Sequence, residues 1–551
     1  MNKSYISLSA ILIFFASLTH AQVTERERPE GWENLVYGGR FMDRFLPMPD
    51  LGGMTTKTWG ADCVIPRDIN NGIEEDEWSY WGGNTRLGPD GKYHLFVCRW
   101  AENSPHGHME WGNSDVVHAV SDNSYGPFKV IQEIGKGHNP EWYITNSGKY
   151  VIYVIGGYYV SDDINGPWER KEFEFDTRDR EIIEGLSNLT FAKREDGSFL
   201  MICRGGGVWM SEDGISAWKQ ITDSRVYPPV DGRFEDPLIW KTNVQYHLIV
   251  NDWLGRIAWY LRSKDGIHWK VDSGEAYLPG IAHYADGTRE DWFKYERIKV
   301  MQDSYGRATQ ANFAVIDTLK YMDLPNDNHS SKLISIPLTI GKLLTVLNKK
   351  PITAKTKEIN VLIQTEEGFD PNTDMDIESL RFGAPEMIDV GKGCQLKNIQ
   401  AVEGGAILTF DGEGNGFTND NFAGKLLGKD KQGNLLFGYG RLPGVDYMEA
   451  SLSARKPIYS VSGMTVDVEN FGQSPSDKAK IQVYLSDGEN MIEVAAGNIP
   501  ALKPYERKTI ELKVKNNQKE DDQYQYLVII NQGKKNEVVF STKSKAQSPN
   551  E

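Results

Sequence analysis

Residues 138–168, HNPEWYITNSGKYVIYVIGGYYVSDDINGPW, read as an apolar strand, a Gly-containing turn, a second apolar strand, and an acidic turn that re-enters on an aromatic residue. The same pattern occurs four times between residues 81 and 270. Its other openings are Trp81-Gly82-Gly83-Asn84 before GPDGKYHLFV, Ser187-Asn188-Leu189-Thr190 before EDGSFLMIC, and Phe234-Glu235-Asp236-Pro237 before NVQYHLIVND. The outer halves agree as well: AVSDNSYGPF, YVSDDINGPW, WMSEDGISAW and LRSKDGIHW each close a strand with a polar turn. From Gly82 to Asn139, Asn188 and Glu235 the steps are 57, 49 and 47 residues, the size of one four-stranded propeller blade. A weaker fifth copy starts near Trp292, as WFKYERIKV followed by YGRATQANFAVI. The chain is therefore expected to be all-β, a five-bladed β-propeller followed by one or two β-sandwich domains.

Working outward, residues 22–75 carry few strand-like runs and are expected to wrap the propeller, which occupies residues 76–345. KLISIPL, residues 332–338, is expected to close the ring and so remove an exposed sheet edge. Beyond it, KEINVLIQ and GAILTF lie among Asp/Asn/Gly turns, and GMTVDVEN, AKIQVYL and KTIELKV alternate apolar with polar residues. These runs predict β-sandwich modules over 346–452 and 453–543, the second Ig-like, with a disordered tail at 544–551. Residues 1–21 read as a signal peptide: Lys3, the apolar run LSAILIFFASL, and a small-residue cleavage site at Thr19-His20-Ala21. The expectation is an exported protein, periplasmic or secreted, with no membrane insertion.

With 551 residues, two or three domains are expected, and a net charge of −16 argues against nucleic acid and against anionic membrane surfaces. Cys63, Cys98, Cys203 and Cys394 have no metal-like spacing and read as buried free thiols. Aromatic residues at 11%, with 15 Trp, offer faces on which sugar rings stack, so an oligo- or polysaccharide is the expected partner. The oligomeric state is not legible.

In a propeller the starts of the innermost strands converge on the axial channel. That selects Asn84, Asn139, Glu141, Asn188, Glu235, Asp236 and Glu296. Strand alternation should turn Asp236 away from Glu235, and Glu296 should pair with its neighbour Arg297. Glu141 and Asp236 have a structural alternative, binding the backbone of a neighbouring blade. His106, His108, Glu110 and His118 lie in HGHMEWGNSDVVH without strict zinc spacing, so no metal or cofactor is expected beyond a possible central structural cation. His108 and His138 are read as substrate hydrogen-bonders, with His138 also a candidate acid. Arg204, in CRGGG, and Asp252, Trp253 and Arg256, in NDWLGR, complete the substrate-binding candidates.

The openings NPEWYITNSGKYVIYV, SNLTFAKREDGSFLMI and FEDPLIW resemble those of the five-bladed glycosidases that include glycoside hydrolase family 43 and its arabinanase, invertase and levansucrase relatives. The resemblance spans about residues 80–340. It implies three acids: an Asp base or nucleophile from the first blade, a second Asp that tunes, and a Glu general acid. Glu235 matches that Glu. Trp81-Gly82-Gly83-Asn84 stands where the first Asp-Pro would be, and Asn139 and Asn188 replace Asp. The base therefore falls to Glu141 or to Asp76, from the acidic stretch GIEEDEW. The implied activity is glycoside hydrolysis, exo-acting on plant or algal polysaccharide fragments, with inversion. Two alternatives remain open: a non-catalytic glycan-binding propeller, and a uronate lyase in which His138 or Tyr295 is the base while Arg204 or Arg256 neutralises the carboxylate.

Overall fold

The computed structural model describes residues 26–58, 60–460, 463–486, 490–515, 525–531, 533–534 and 537–542. The signal-like segment and the tail expected at 544–551 lie outside them. The described chain is nearly all β. Blade one comprises Trp78–Leu87, Tyr93–Ala101, Asp115–Ser121 and Lys129–Lys136, and blade two Glu141–Ile144, Tyr150–Val154, Gly157–Ser161 and Glu169–Glu172. Blade three runs Thr190–Lys193, Phe199–Ile202, Val208–Ser211 and Trp218–Gln220, with Phe175–Asp176 added in parallel at its edge. Blade four is Phe234–Lys241, Tyr246–Asp252, Ile257–Ser263 and Lys270–Glu275.

The repeated turns have one chemical cause. The hydroxyls of Ser121, Ser161 and Ser263 accept the N–H two residues on, at 3.1, 3.1 and 3.2 Å. The following Asn123, Asp163 and Asp265 side chains then accept the N–H of Tyr125, Asn165 and Ile267. Such side-chain-capped turns form locally, which is why the motif recurs.

Blade five has three strands, Lys294–Gln302, Ala308–Ile316 and Ser331–Pro337. The expected closing strand is thus the third of its blade, and the ring is closed from the N-terminal side. Ile73 bridges Leu333. Beside it the Asn71 side chain imitates a strand, donating to Ser335 O at 2.9 Å and accepting from Ser335 N at 2.8 Å. Gly72 continues the clasp into blade one, accepting from Phe128 N and donating to Tyr125 O. Earlier residues of this segment, Phe41, Met48, Ala61 and Val64, are buried in one core with blades four and five.

Seven strands from Lys342–Val346 to Leu435–Arg441 then close into a barrel, its first and last strands pairing in parallel. The last unit is an eight-stranded sheet folded around Val466, Ile481, Val494 and Val528. It docks on blade three through the buried pair Arg178–Glu469, 2.9 Å. Cys98, Cys203 and Cys394 are buried free thiols as expected, whereas Cys63 is exposed.

Because Asn71 satisfies two backbone groups of a buried strand, Asn71→Ala is expected to destabilise the propeller by about 1–3 kcal/mol, read from the denaturant midpoint. Asp76→Ala, at an exposed turn position, is expected to leave the midpoint unchanged.

Candidate active site

Each inner strand carries, within its first half or two residues before it, a residue with left-handed backbone: Gly82 (φ 62°), Asn139 (55°), Asn188 (48°), Asp236 (55°) and Arg297 (51°). One comes from each blade, and together they ring the axis. The fourth member is Asp236, so the blade register is one residue later than the Glu235 alignment implies. In blades one, four and five the ladder shifts register at this point, between Trp81 and Asn84, Glu235 and Leu238, and Glu296 and Lys299. These are β-bulges, and a bulge breaks the alternation of side chains. That is why Asp236 is not turned away from Glu235: oxygens of Glu235, Asp236 and Glu296 all lie within 4.8 Å of one another.

The ring is tied by its own side chains. Asn139 Nδ2 donates to Asn188 Oδ1 at 3.1 Å, and Asn188 Nδ2 donates to Asp236 Oδ1 at 3.1 Å. Asp236 also accepts from Arg297 N at 3.1 Å and from Arg297 Nη1 at 3.2 Å. Asp236 thus binds the neighbouring blade's backbone, and Arg297 pairs with it rather than with Glu296. A Cβ on Gly82 would stand 3.1 Å from Asn139 Oδ1, so the tight ring leaves little room for a side chain there.

The residues immediately before the ring face the mouth of the channel. Glu235 is half-buried, with Arg204 Nη1 at 3.4 Å. Burial, and then the Asp236 charge, push its carboxyl up to about 7 against the pull of Lys320 and Arg204. Glu296 behaves oppositely. Although burial opposes ionisation, Lys320, which forms a close ion pair, and Lys294, at 3.3 Å, hold it below the ordinary carboxylate range. Two neighbouring carboxyls therefore differ in charge near neutrality because their surroundings differ. The three acids could also take a cation, and they fit one poorly: Lys294, Lys320, Arg297 and Arg204 already supply their counter-charge.

A pocket opens beside Glu296, lined by Asn251, Trp253, Arg256, Tyr277, Phe293 and Lys294. Trp253 Nε1 and the Nε and Nη2 atoms of Arg297 are buried without a hydrogen-bond partner among the described residues. Arg256 stacks on Phe293 and donates to its carbonyl at 3.1 Å. Asn188 and Arg204 thus belong to the site, and Trp253 and Arg256 line its pocket.

His138 lies at blade two's position before the ring. Its Nδ1 sits 3.0 Å from Ser114 Oγ, and burial, then Arg297 and Lys320, hold the ring well below the usual histidine range. That favours the neutral ring, which serves here as a hydrogen-bonding partner of Ser114. His108 is buried edge-on to Trp81 and Trp100, with Nδ1 2.9 Å from Ser331 Oγ. It supports the site from behind rather than entering it.

Three expected site residues, Glu141, Asn84 and Asp252, are used by the fold instead, and a fourth, Asp76, lies apart from the cluster. Glu141 is buried one layer below the ring in a close ion pair with Lys299, and it accepts from Tyr143 Oη at 2.9 Å and Phe191 N at 3.3 Å. It is outside the Glu235–Asp236–Glu296 cluster and is placed as a structural ion pair rather than as the base beside Glu235. Asn84 braces blade two, accepting from Trp142 N at 2.8 Å and donating to Trp142 O at 3.1 Å. Asp252 is fully buried, receiving Arg26, Arg233 N and Gly255 N. Asp76 is exposed in the turn before blade one, outside the carboxylate cluster. Tyr295, the alternative lyase base, is packed in the core and donates to Glu290 O at 3.3 Å.

The residues that sequence reasoning missed are Lys320 and Lys294. Lys320 lies in the irregular connection between the last two strands of blade five, where no motif marks it; Lys294 begins the strand Lys294–Gln302, two residues before Glu296.

No protein-family model matches this chain, and no curated protein matches it. Among solved structures it is similar to a family 117 glycoside hydrolase of the marine bacterium Zobellia galactanivorans, at 12% identity and a TM-score of 0.35, over 49% of this chain and 88% of the other. It is also similar to a protein titled glycoside hydrolase, at 11% identity and 0.34, over 81% and 97%. A third is a GH43 protein of Bacillus licheniformis, at 10% and 0.33, over 86% and 89%.

The layer beneath the ring yields a test. Lys299 is buried, and its ammonium is brought down to about 8 by burial, against the pull of Glu141. Removing it strands a carboxylate in the interior. Lys299→Met is expected to cost about 3–5 kcal/mol, and the pair Glu141→Gln with Lys299→Met much less, as measured by urea unfolding of parent, single and double variants.

Proposed function

We propose that this protein is a glycoside hydrolase acting at the mouth of the propeller channel, with Glu235 as general acid and Glu296 as the ionised partner. The observation that carries the reading is the split of the two carboxyls: Glu235 is pushed up to about 7, while Glu296 is held ionised by Lys320 and Lys294. Glycosidic cleavage needs this combination, one carboxylic acid to protonate the leaving oxygen and one carboxylate to attack or to activate water. Asp236, fixed by Asn188 and Arg297, is a positioning residue that adds to the effect of burial in raising Glu235.

The spacing supports retention of configuration. Oxygens within 4.8 Å sit nearer the separation of about 5–5.5 Å used for a covalent intermediate than that of about 6.5–9.5 Å, which leaves room for a water. This departs from the inversion implied by family resemblance, and it makes Glu296 the nucleophile. Trp253 lines the pocket beside Glu296 and offers a stacking face for a sugar ring. A pit closed below by the Asn139–Asn188–Asp236 ring favours chain ends over chain middles, so the proposed action is exo, on plant or algal oligosaccharides.

The sign of the pH dependence follows. A general acid with a raised value is active when protonated, so kcat/KM on a responsive oligosaccharide is expected to fall tenfold per pH unit above about 7. Glu235→Gln should lower kcat by at least about 100-fold and leave glycan binding within a few-fold. Undiminished turnover would exclude Glu235 as the acid, and glycan binding without any turnover in the parent would favour a binding propeller. Proton NMR of the first-formed product should show the substrate's own anomer; the opposite anomer would remove Glu296 as nucleophile.

Glu235 also links pH to stability. Its folded-state value lies above that of the unfolded chain, so its stabilising contribution is fully present below the ordinary carboxyl range and is lost as pH rises through about 7. Glu235→Gln is therefore expected to melt above the parent at pH 8 and to lose that advantage at pH 5.

A further inference from the structure

A second group of acids lies away from the candidate active site, where blade one meets the 317–330 connection of blade five. Oxygens of Glu102, Asp323 and Asp327 converge within 4.8 Å of one another. Unlike the axial three, they have no counter-charge: among the described residues no Lys or Arg forms an ion pair with any of them. The nearest cationic candidate is His108, with Nδ1 3.9 Å from Asp323 Oδ2. It is buried, and burial holds it well below the usual histidine range, so it brings no charge.

Acids cluster on many surfaces without a ligand, but two of these are inside the protein. Asp323 is 2% exposed and Glu102 is 9% exposed. Among the described residues Asp323 Oδ2 and Glu102 Oε1 have no hydrogen-bond partner, while Glu102 Oε2 is oriented by the Ser79 hydroxyl at 2.6 Å. Asp327 is fixed by accepting from Leu324 N at 2.8 Å and His329 N at 2.7 Å. Orphaned buried carboxylate oxygens carry a desolvation cost that a proton or a metal ion must offset.

We propose that Glu102, Asp323 and Asp327 bind a hard divalent cation of calcium's size, which ties the 317–330 connection to blade one. Oxygen-only ligands suit calcium or magnesium rather than zinc. Three carboxylates whose oxygens converge within 4.8 Å of one another suit calcium, which takes several protein oxygens in a flexible shell, better than magnesium, which keeps most of its waters and needs few protein carboxylates. The same connection carries Lys320, which reaches Glu296, so the cation would hold the lysine that keeps that carboxylate ionised.

The test uses the full purified chain, stripped with a chelator and dialysed. Calcium chloride is expected to bind with about one ion per chain by calorimetry, and to raise the melting temperature progressively with concentration, with magnesium much weaker. Hydrogen exchange across 317–330 should slow on adding calcium. Asp327→Asn, whose side chain keeps an oxygen for the two backbone N–H groups, should abolish the calcium response, while Glu296→Gln, at the axial acids, should retain it. Absence of calcium-dependent heat and melting shift in the stripped parent at millimolar calcium would overturn the proposal, whatever the variants do. Retention of the response in Asp327→Asn, or its loss in Glu296→Gln, would place the ion elsewhere and overturn it equally.

Discussion

The chain of hydrogen bonds from Asn139 through Asn188 to Asp236 and Arg297 is the constraint on which the rest of this structure depends. It joins four blades at their narrowest point with polar bonds whose geometry requires left-handed backbone at every member. Asn and Asp tolerate that conformation at small cost and Gly at none. Arg297 does not share this tolerance, and strained backbone of this kind costs of order 1–3 kcal/mol unless its surroundings fix it. The charged double contact with Asp236 is what fixes it. Strain, bulge and ion pair are one feature, located where the site needs its side chains aimed.

That feature also divides labour among the carboxyls. Asp236 is fixed beside Glu235 by N–H donors and a guanidinium. Glu235 is half-buried, with Arg204 at 3.4 Å, and burial brings its carboxyl up to about 7, so that it holds its proton well above the ordinary carboxyl range. Glu296 differs again, because two lysines reach it from outside the ring. Local environment, more than residue type, assigns the roles, with partners drawn from blades three and five.

The blades were legible because their signals are local: a Ser hydroxyl and an Asx side chain capping each turn, and apolar alternation on either side. The inner-strand starts were legible as positions but not as orientations. Alternation predicts that Asp236 points away from Glu235, and it fails at a bulge that no short-range pattern announces. Glu141 looked accessible for a related reason: its partner Lys299 lies 158 residues away, and only the closed ring brings the two together. Lys320 had no motif at all. Its role comes from a long irregular connection folding back over the channel, a tertiary event.

The two triads of acids show why charge, and not spacing, identifies a metal site. Both converge within 4.8 Å. At the axis, four basic side chains already balance the carboxylates, and a cation there would compete with Lys320 and Arg297 for the same lone pairs. Beside blade one, Asp323 Oδ2 and Glu102 Oε1 have no donor among the described residues, so a bound cation would displace no hydrogen bond from them and would remove the repulsion among three acids. A protein that neutralises one cluster with side chains and leaves the other bare has treated them differently, and the bare one sits under the connection that delivers Lys320. An ion at the rim can therefore act on the chemistry at the axis only through the placement of that lysine, without contacting substrate.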